Sequence, residues 1–353
     1  MVDFLRITNA SRRVNRTLGG YAAVATLALS TVLTSPVLAQ ESVFIGVIFP
    51  SQNQVRWAWE QKFFTEQATA NGDKVIFQFS NENVATQKTQ VESFIERGVN
   101  VIVMAAIDAN AGNELVNEAH SQGVKVITYD RGVSTAKVDY HISRSNYEAG
   151  KLQAEAALSS VPAGDYAIIR GDASTIAQVD MSRAYDELLK NKAGVNIVYD
   201  ELTPGWDSAV VQRNAEAALQ KAPDIKAFAV MWDDAAQAVV QALKSAGRQP
   251  GEVFVSGLDS ATPSLTYIAQ GWQTQTIWTP IDEMARSAAD VAHALGVGKK
   301  VPAPSEVVDG VPHKYVKLVS ITKTNLCDFI TKIAPSGWVT QDDVFGKAAH
   351  PCK

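Results

Sequence analysis

Cysteine is nearly absent: the 353 residues hold two, Cys327 and Cys352, both close to the C-terminus. So low a count excludes a scaffold built on disulfides, and the spacing fits no metal site. Histidine is also scarce, and His120, His141, His293, His313 and His350 show no ligand-like spacing, so no metal centre is expected. Positive charge is in deficit, with 32 Lys+Arg against 37 Asp+Glu. Four Arg and one Asp fall in the first 39 residues, which leaves 28 basic against 36 acidic side chains beyond them, a net charge of −8. Nucleic-acid binding needs a basic footprint, so that class is excluded. No Gly-x-Ser-x-Gly occurs, which removes the nucleophile elbow of a serine hydrolase. After the N-terminal region, no run is long and apolar enough to span a membrane.

The one long apolar run lies at the start. Arg6, Arg12, Arg13 and Arg16 precede an apolar stretch over about 18–38, which ends Val37-Leu38-Ala39. Basic, apolar, then small residues is the order of a secretory signal peptide, so 1–39 reads as a leader cleaved near Ala39. An uncleaved anchor fits less well, because Gly19, Gly20 and Pro36 weaken a spanning helix. No cysteine near the cleavage point invites lipid modification. The protein is therefore expected outside the cytoplasm, in the periplasm. There an oxidising environment permits Cys327 and Cys352 to pair and tie down the tail. The 314 residues after Ala39 suggest two domains.

A rhythm then appears. Apolar strands at 43–49, 75–79, 101–105 and 126–129 alternate with helices at 57–71, 86–97 and 111–122. The same alternation restarts after about residue 150, with strands at 166–170, 195–199, 227–231, 253–256 and 274–278 and helices between them. Helices over 260–271 and 281–295 follow, then a strand over 314–321 and an irregular tail. Repeated strand–helix–strand steps imply right-handed crossovers and parallel sheets. Several strands stop on polar or aromatic residues: Asp130-Arg131, Trp232-Asp233-Asp234 and Gly257-Leu258-Asp259. Open α/β sheets bind ligands beyond the carboxyl ends of their strands, so these ends point to one shared site.

The same residues carry a family resemblance. Val55-Arg56-Trp57, the segment 90–99 (QVESFIERGV), the segment 123–131 (GVKVITYDR), Asn146-Tyr147-Glu148-Ala149-Gly150, Pro204-Gly205-Trp206, Asp233-Asp234-Ala235, Ser256-Gly257-Leu258-Asp259 and Thr279-Pro280 occur in order. Over about 43–325 the chain resembles the periplasmic sugar-binding proteins of ABC transporters, in the ribose/xylose/galactose class. The resemblance implies a type I periplasmic-binding-protein fold: α/β, two doubly wound parallel-sheet lobes joined by a three-segment hinge. The first lobe would hold 43–130 plus 261–303, the second 132–259 plus 305–325, and 326–353 would be a C-terminal tail. It implies no catalysis and no cofactor. The implied ligand is a monosaccharide, a xylose-like pentose or related aldose, held between the lobes. The implied partners are a membrane permease with its cytoplasmic ATPase, or a chemoreceptor or sensor kinase, and a monomer is expected.

A sugar offers paired hydroxyls and an apolar ring face, which calls for carboxylates, amides and guanidiniums with flanking aromatics. The resemblance puts Arg56, Trp57, Asp130, Arg131, Trp206, Asp233 and Asp259 on the ligand, with Gln178 in the loop 174–178 standing in for the amide of relatives. The chain also departs from the pattern. Thr279 stands where xylose-binding members carry Lys, Asp233 where an Asn is usual, Leu258 where Gln often precedes the Asp, and Arg144-Ser145 where Phe-Asp is common. A site that loses a buried partner changes what it accepts, so a polyol, an amino-sugar or another small polar ligand stays open. The carboxylate pair Asp233 and Asp234, read as adjacent on an extended segment, would face opposite ways and make a poor acid/base couple.

Overall fold

Buried parallel strands must be apolar on both faces. β1 (Phe44–Phe49, FIGVIF) meets that demand, with every residue after the first buried. In the computed structural model, which describes residues 41–347, 349, 351 and 352, β1 lies inside a seven-stranded sheet. The expected leader over 1–39 lies outside the described residues. β2 (Lys74–Phe79) and β3 (Val101–Met104) flank β1, and β4 (Lys125–Tyr129) and β5 (Tyr140–Arg144) extend the sheet, all in parallel. A second sheet contains β6 (Gly164–Ile169), β7 (Val195–Glu201), β8 (Ala227–Val230) and β9 (Phe254–Val255) in the order β7-β6-β8-β9. β10 (Gln275–Trp278) meets its edge through a parallel bridge between Leu258 and Ile277.

Helices cover both sheets. In chain order they are α1 (Val55–Ala70), α2 (Val84–Glu96), α3 (Ala111–Ser121), α4 (Asn146–Ser160), α5 (Ile176–Leu188), α6 (Ser208–Lys221), α7 (Asp233–Ser245), α8 (Thr262–Gln270) and α9 (Ile281–Gly296). Two large apolar cores result. One gathers β1, β3, β4, α1 and α9; the other gathers β6, β8, α5, α6 and α7. This is a two-lobed α/β fold of mostly parallel sheets, as the alternation implied.

The last strands depart from the expected division. Residues 132–259 and 305–325 were assigned to the second lobe, yet β5 and β12 (Val311–Val316) pair within the first sheet. β12 carries a short antiparallel partner, β11 (Glu306–Val308). The single strand read over 314–321 is two strands. After Val316 the chain leaves the first sheet, and β13 (Val319–Thr322) pairs antiparallel with β10. The alternation continues through both strands, so the pattern alone gave no sign of the change of sheet. The tail is not irregular throughout: it holds α10 (Leu326–Asp328), a π-helical turn and α11 (Gln341–Phe345). Cys327 and Cys352 are disulfide-bonded.

Among the described residues no helix is long and apolar enough to cross a membrane. No cluster of metal-ligating side chains occurs among them either.

Candidate functional site

The strand ends do converge. β4 ends at Tyr129, and Asp130 and Arg131 follow it. Asp259 follows β9 and Trp232 follows β8. Arg56 and Trp57 sit in the first turn of α1, after β1. Trp206 lies in a short 3₁₀ turn, Pro204–Trp206. All seven residues line one narrow cavity of about 30 Å³, together with Gln54, Arg144, Met181 and Leu258. The turn shapes of this region are costly: Asp130, Trp206 and Asp259 have φ of 62°, 54° and 100°. Non-glycine residues held there cost roughly 1–3 kcal/mol each, and such residues gather at ligand clamps.

Arg56 is the hub. Its Nε donates to Glu60 Oε1 at 2.6 Å, its Nη1 to Asp259 Oδ1 at 3.1 Å and its Nη2 to Asp130 Oδ1 at 3.0 Å. Asp130 also accepts from Arg144 Nη1. Burial alone would raise the Asp130 carboxyl, but Arg144, Arg56 and Arg131 overcome it and hold the group far below the usual carboxylate range. Glu60 goes the other way: full burial, with the nearby charge of Asp130, pushes it up to about 7 against the pull of Arg56. Arg131 is fixed by a two-pronged pair with Glu82, at 2.7 and 3.0 Å.

The aromatic wall is equally built. Trp206 packs edge-on to Trp232, with centroids 4.9 Å apart and planes at 80°. The Arg131 guanidinium lies 5.7 Å from the Trp206 ring centre. The indole sits directly over Gly171, where any Cβ would fall inside the ring. The Nε1 donors of Trp206 and Trp232 and the Nε donor of Arg144 are buried without a hydrogen-bond partner. Buried donors are normally satisfied, so three orphans on one cavity wall mark a place for an acceptor-rich ligand.

Three of the expected residues do not line this cavity. Asp233 lies behind Asp259, and its oxygens are already used: Oδ2 accepts from Ala261 N at 2.8 Å, and Oδ1 from Gln273 Nε2 at 3.1 Å and Thr276 Oγ1 at 2.9 Å. Asp233 and Asp234 are not on an extended segment; they form the first turn of α7. Burial, then Asp259, raises both carboxyls, Asp234 to about 6. Gln178 is not in a loop but in the first turn of α5, which Thr175 caps, and its amide donates to Ser182 Oγ at 2.8 Å. Thr279 is buried, with an unpartnered Oγ1, and lies off the cavity wall. Conversely, Glu60, Glu82 and Gln54 belong to the assembly and were not singled out, while Arg144 was noted only as a departure from the family pattern and Trp232 only as a strand end. Trp232 carried a signal, since it follows an apolar strand as Asp130 does.

Comparison with known proteins agrees with this geometry. A family profile described as "Periplasmic binding protein domain" matches residues 45–300. The D-xylose-binding periplasmic protein of Escherichia coli K12 is 31% identical over 317 residues, covering 87% of this chain and 95% of its own. The chain belongs to the periplasmic sugar-binding proteins. Other members of the family are similar to it. The multiple sugar-binding periplasmic protein SbpA of Azospirillum brasilense is 27% identical over 340 residues, covering 88% and 93%. Among solved structures, a solute-binding protein from Clostridium phytofermentans with bound β-D-glucose superposes with a TM-score of 0.78 at 21% identity, covering 85% of this chain and 99% of that one. A Caulobacter myo-inositol-binding protein gives 0.74 at 20% identity, covering 85% and 99%. The family is one of binding proteins, not enzymes.

Proposed function

We propose that this protein captures a monosaccharide, a xylose-like pentose or related aldose, between its lobes and delivers it to an ABC-transporter permease. The convergence of Asp130, Asp259, Arg56, Trp57, Trp206 and Trp232 on one cavity carries the reading. Carboxylates accept from sugar hydroxyls, the guanidiniums and indole N–H groups donate to them, and the tryptophans cover the ring face. Arg56, Arg131 and Arg144 are each held by carboxylates, Glu60, Asp130, Asp259 and Glu82, so no cation is left for a charged ligand, which suits a neutral one. The cleft works by exchange. Arg56 bonds Asp130 beside the first sheet and Asp259 beside the second, and a sugar would take over the free lone pairs as it enters. The relatives' names, xylose, glucose and multiple sugars, support the same ligand class.

The test is a thermal-shift panel of monosaccharides on the mature protein. Ligands that bind only the native state raise the melting temperature. One or more aldoses should produce a saturable shift, and Asp259→Ala and Trp206→Ala should each weaken that sugar by about a hundredfold or more. A panel in which no sugar shifts the protein, while another metabolite class does, would overturn the ligand assignment.

A further inference from the structure

A second space, of about 690 Å³, lies beside the cleft and shares a single wall residue with it, Arg144. Ligand pockets typically enclose ~300–1,000 Å³, so this space is of the right size for a small molecule. Its inner wall is made by β4, β5 and β12, and its opposite wall by the start of α5. The first three belong to the first sheet, whereas α5 packs in the second core. The cavity therefore spans the join between the lobes.

The inner wall is ordered and polar. His141 is buried, with Nδ1 2.8 Å from Thr128 Oγ1. His313 Nδ1 lies 2.8 Å from Tyr315 Oη, and the two imidazoles stand 4.7 Å apart. Burial keeps both rings neutral near physiological pH, with His141 pushed down to about 3. Asn146, at the start of α4, is 7% exposed, lines this cavity and not the cleft, and has a buried Oδ1 without a partner. Lys137 and Arg183 line it together with Asp180, Glu306 and Asp309, while Arg144 is buried and paired with Asp130. Both signs are present on the wall, with no block of one charge to hold an ion. Flat ring faces, an unpaired amide oxygen and neutral imidazoles match a neutral molecule rich in hydroxyls.

We propose that this cavity is a second binding site, for a neutral polyhydroxylated small molecule, and that it regulates the cleft through Arg144. Arg144 holds Asp130 through Nη1, while its buried Nε has no partner. An occupant that bonds Arg144 fixes the guanidinium on Asp130. Because the occupant also touches elements of both lobes, it holds them together. Occupancy therefore raises affinity in the cleft, and linkage requires the cleft ligand to raise affinity for the second site by the same factor. The regulatory half rests on the sugar reading of the cleft; the binding half does not.

The histidine rings report directly on the site. Ring resonances of His141 and His313 are followed by NMR in the mature protein while myo-inositol, the probe, is added. The expected result is a saturable shift of both signals in the wild type and in Asp259→Ala, whose cleft is disabled. The shift should be lost in the double variant Asn146→Leu, Tyr315→Phe. Signals that stay still in both proteins, or that move only when the cleft is intact, overturn the second site. A matched titration of the best aldose from the thermal-shift panel, with and without saturating myo-inositol, should show cleft affinity raised at least about fivefold. Responding histidine rings with unchanged aldose affinity overturn the regulation. Should no aldose bind at all, the ring shifts still decide the second site, so its failure is separable from that of the cleft assignment.

Discussion

Arg56 gathers three carboxylates on one buried guanidinium, and its neighbour Glu60 pays for the crowding. Arg56 is 5% exposed and Glu60 fully buried. Burial favours the neutral form of a carboxyl, and Asp130 adds like charge, so Glu60 titrates at about 7 in the folded chain instead of near its ordinary 4.5. A folded-state pKa above the unfolded one gives stability that is complete below the lower value and is lost as pH rises through the upper one. Between pH 4.5 and 7, then, Glu60 should cost the native state an amount on the order of 3 kcal/mol, at about 1.4 kcal/mol per pH unit. Asp234 pulls in the same direction, while Asp130, whose pKa is depressed, acts only in strong acid. Urea unfolding at pH 5 and pH 8 isolates the term by comparison with Glu60→Gln. The wild type should lose markedly more stability over that interval than the variant. Parallel losses in the two proteins would mean that Glu60 stays charged throughout.

At the scale of elements, the tail is a strap rather than a loose end. Trp338 packs on Trp278 and Trp59, with centroids 5.1 and 5.8 Å apart, and donates from Nε1 to Ser260 O at 3.1 Å. α11 packs on α8. The disulfide closes a loop of 25 residues at the far end of this strap. Closing a loop of that length stabilises by about 3 kcal/mol in the chain-entropy account. Cys327→Ser with Cys352→Ser should lower the urea unfolding free energy by about that amount and leave the far-UV spectrum unchanged. An unchanged midpoint would mean that Trp338 and Val344 anchor the tail without the bond. What could be read from the chain follows from the same physics. β1, β3 and β8 were legible because their apolar runs leave no other reading, and Asp130 and Asp259 because they follow such runs, whereas Trp206 came only from the family resemblance. β5 was not: its His141, Ser143 and Arg144 are polar yet buried, and burial of polar side chains depends on partners distant in sequence. Gln178 was misplaced because 174–178 read as a loop, whereas Thr175 caps a helix that begins at Ile176. Asp233 was misplaced because an N-terminal helix residue whose oxygens cap a neighbouring backbone looks, in sequence, like a ligand residue.

For the whole molecule, the decisive quantity is the space between the lobes. The cleft cavity of about 30 Å³ lies far below the ~300–1,000 Å³ of a working ligand pocket. The described conformation is therefore closed, with Arg56 bridging Asp130 and Asp259 across it. Entry of a sugar into this cavity would require the lobes to part, with closure after binding. The segments that would flex are the turns at Arg144–Asn146, at Leu258–Ser260 and at Lys317–Leu318, where the chain passes between the lobes. Asp259 and Ser260 sit at positive φ, so the second of these turns is held in a costly backbone conformation. Small-angle scattering of the mature protein should show a larger radius of gyration without ligand than with a saturating aldose. In Arg56→Met, which removes the bridge, the ligand-free radius should be at least as large, and the aldose should contract it less. A radius that ignores the sugar while calorimetry registers binding would show that the lobes admit it without moving. The site would then be a fixed pocket, and the charge exchange at Arg56 would have to occur within it.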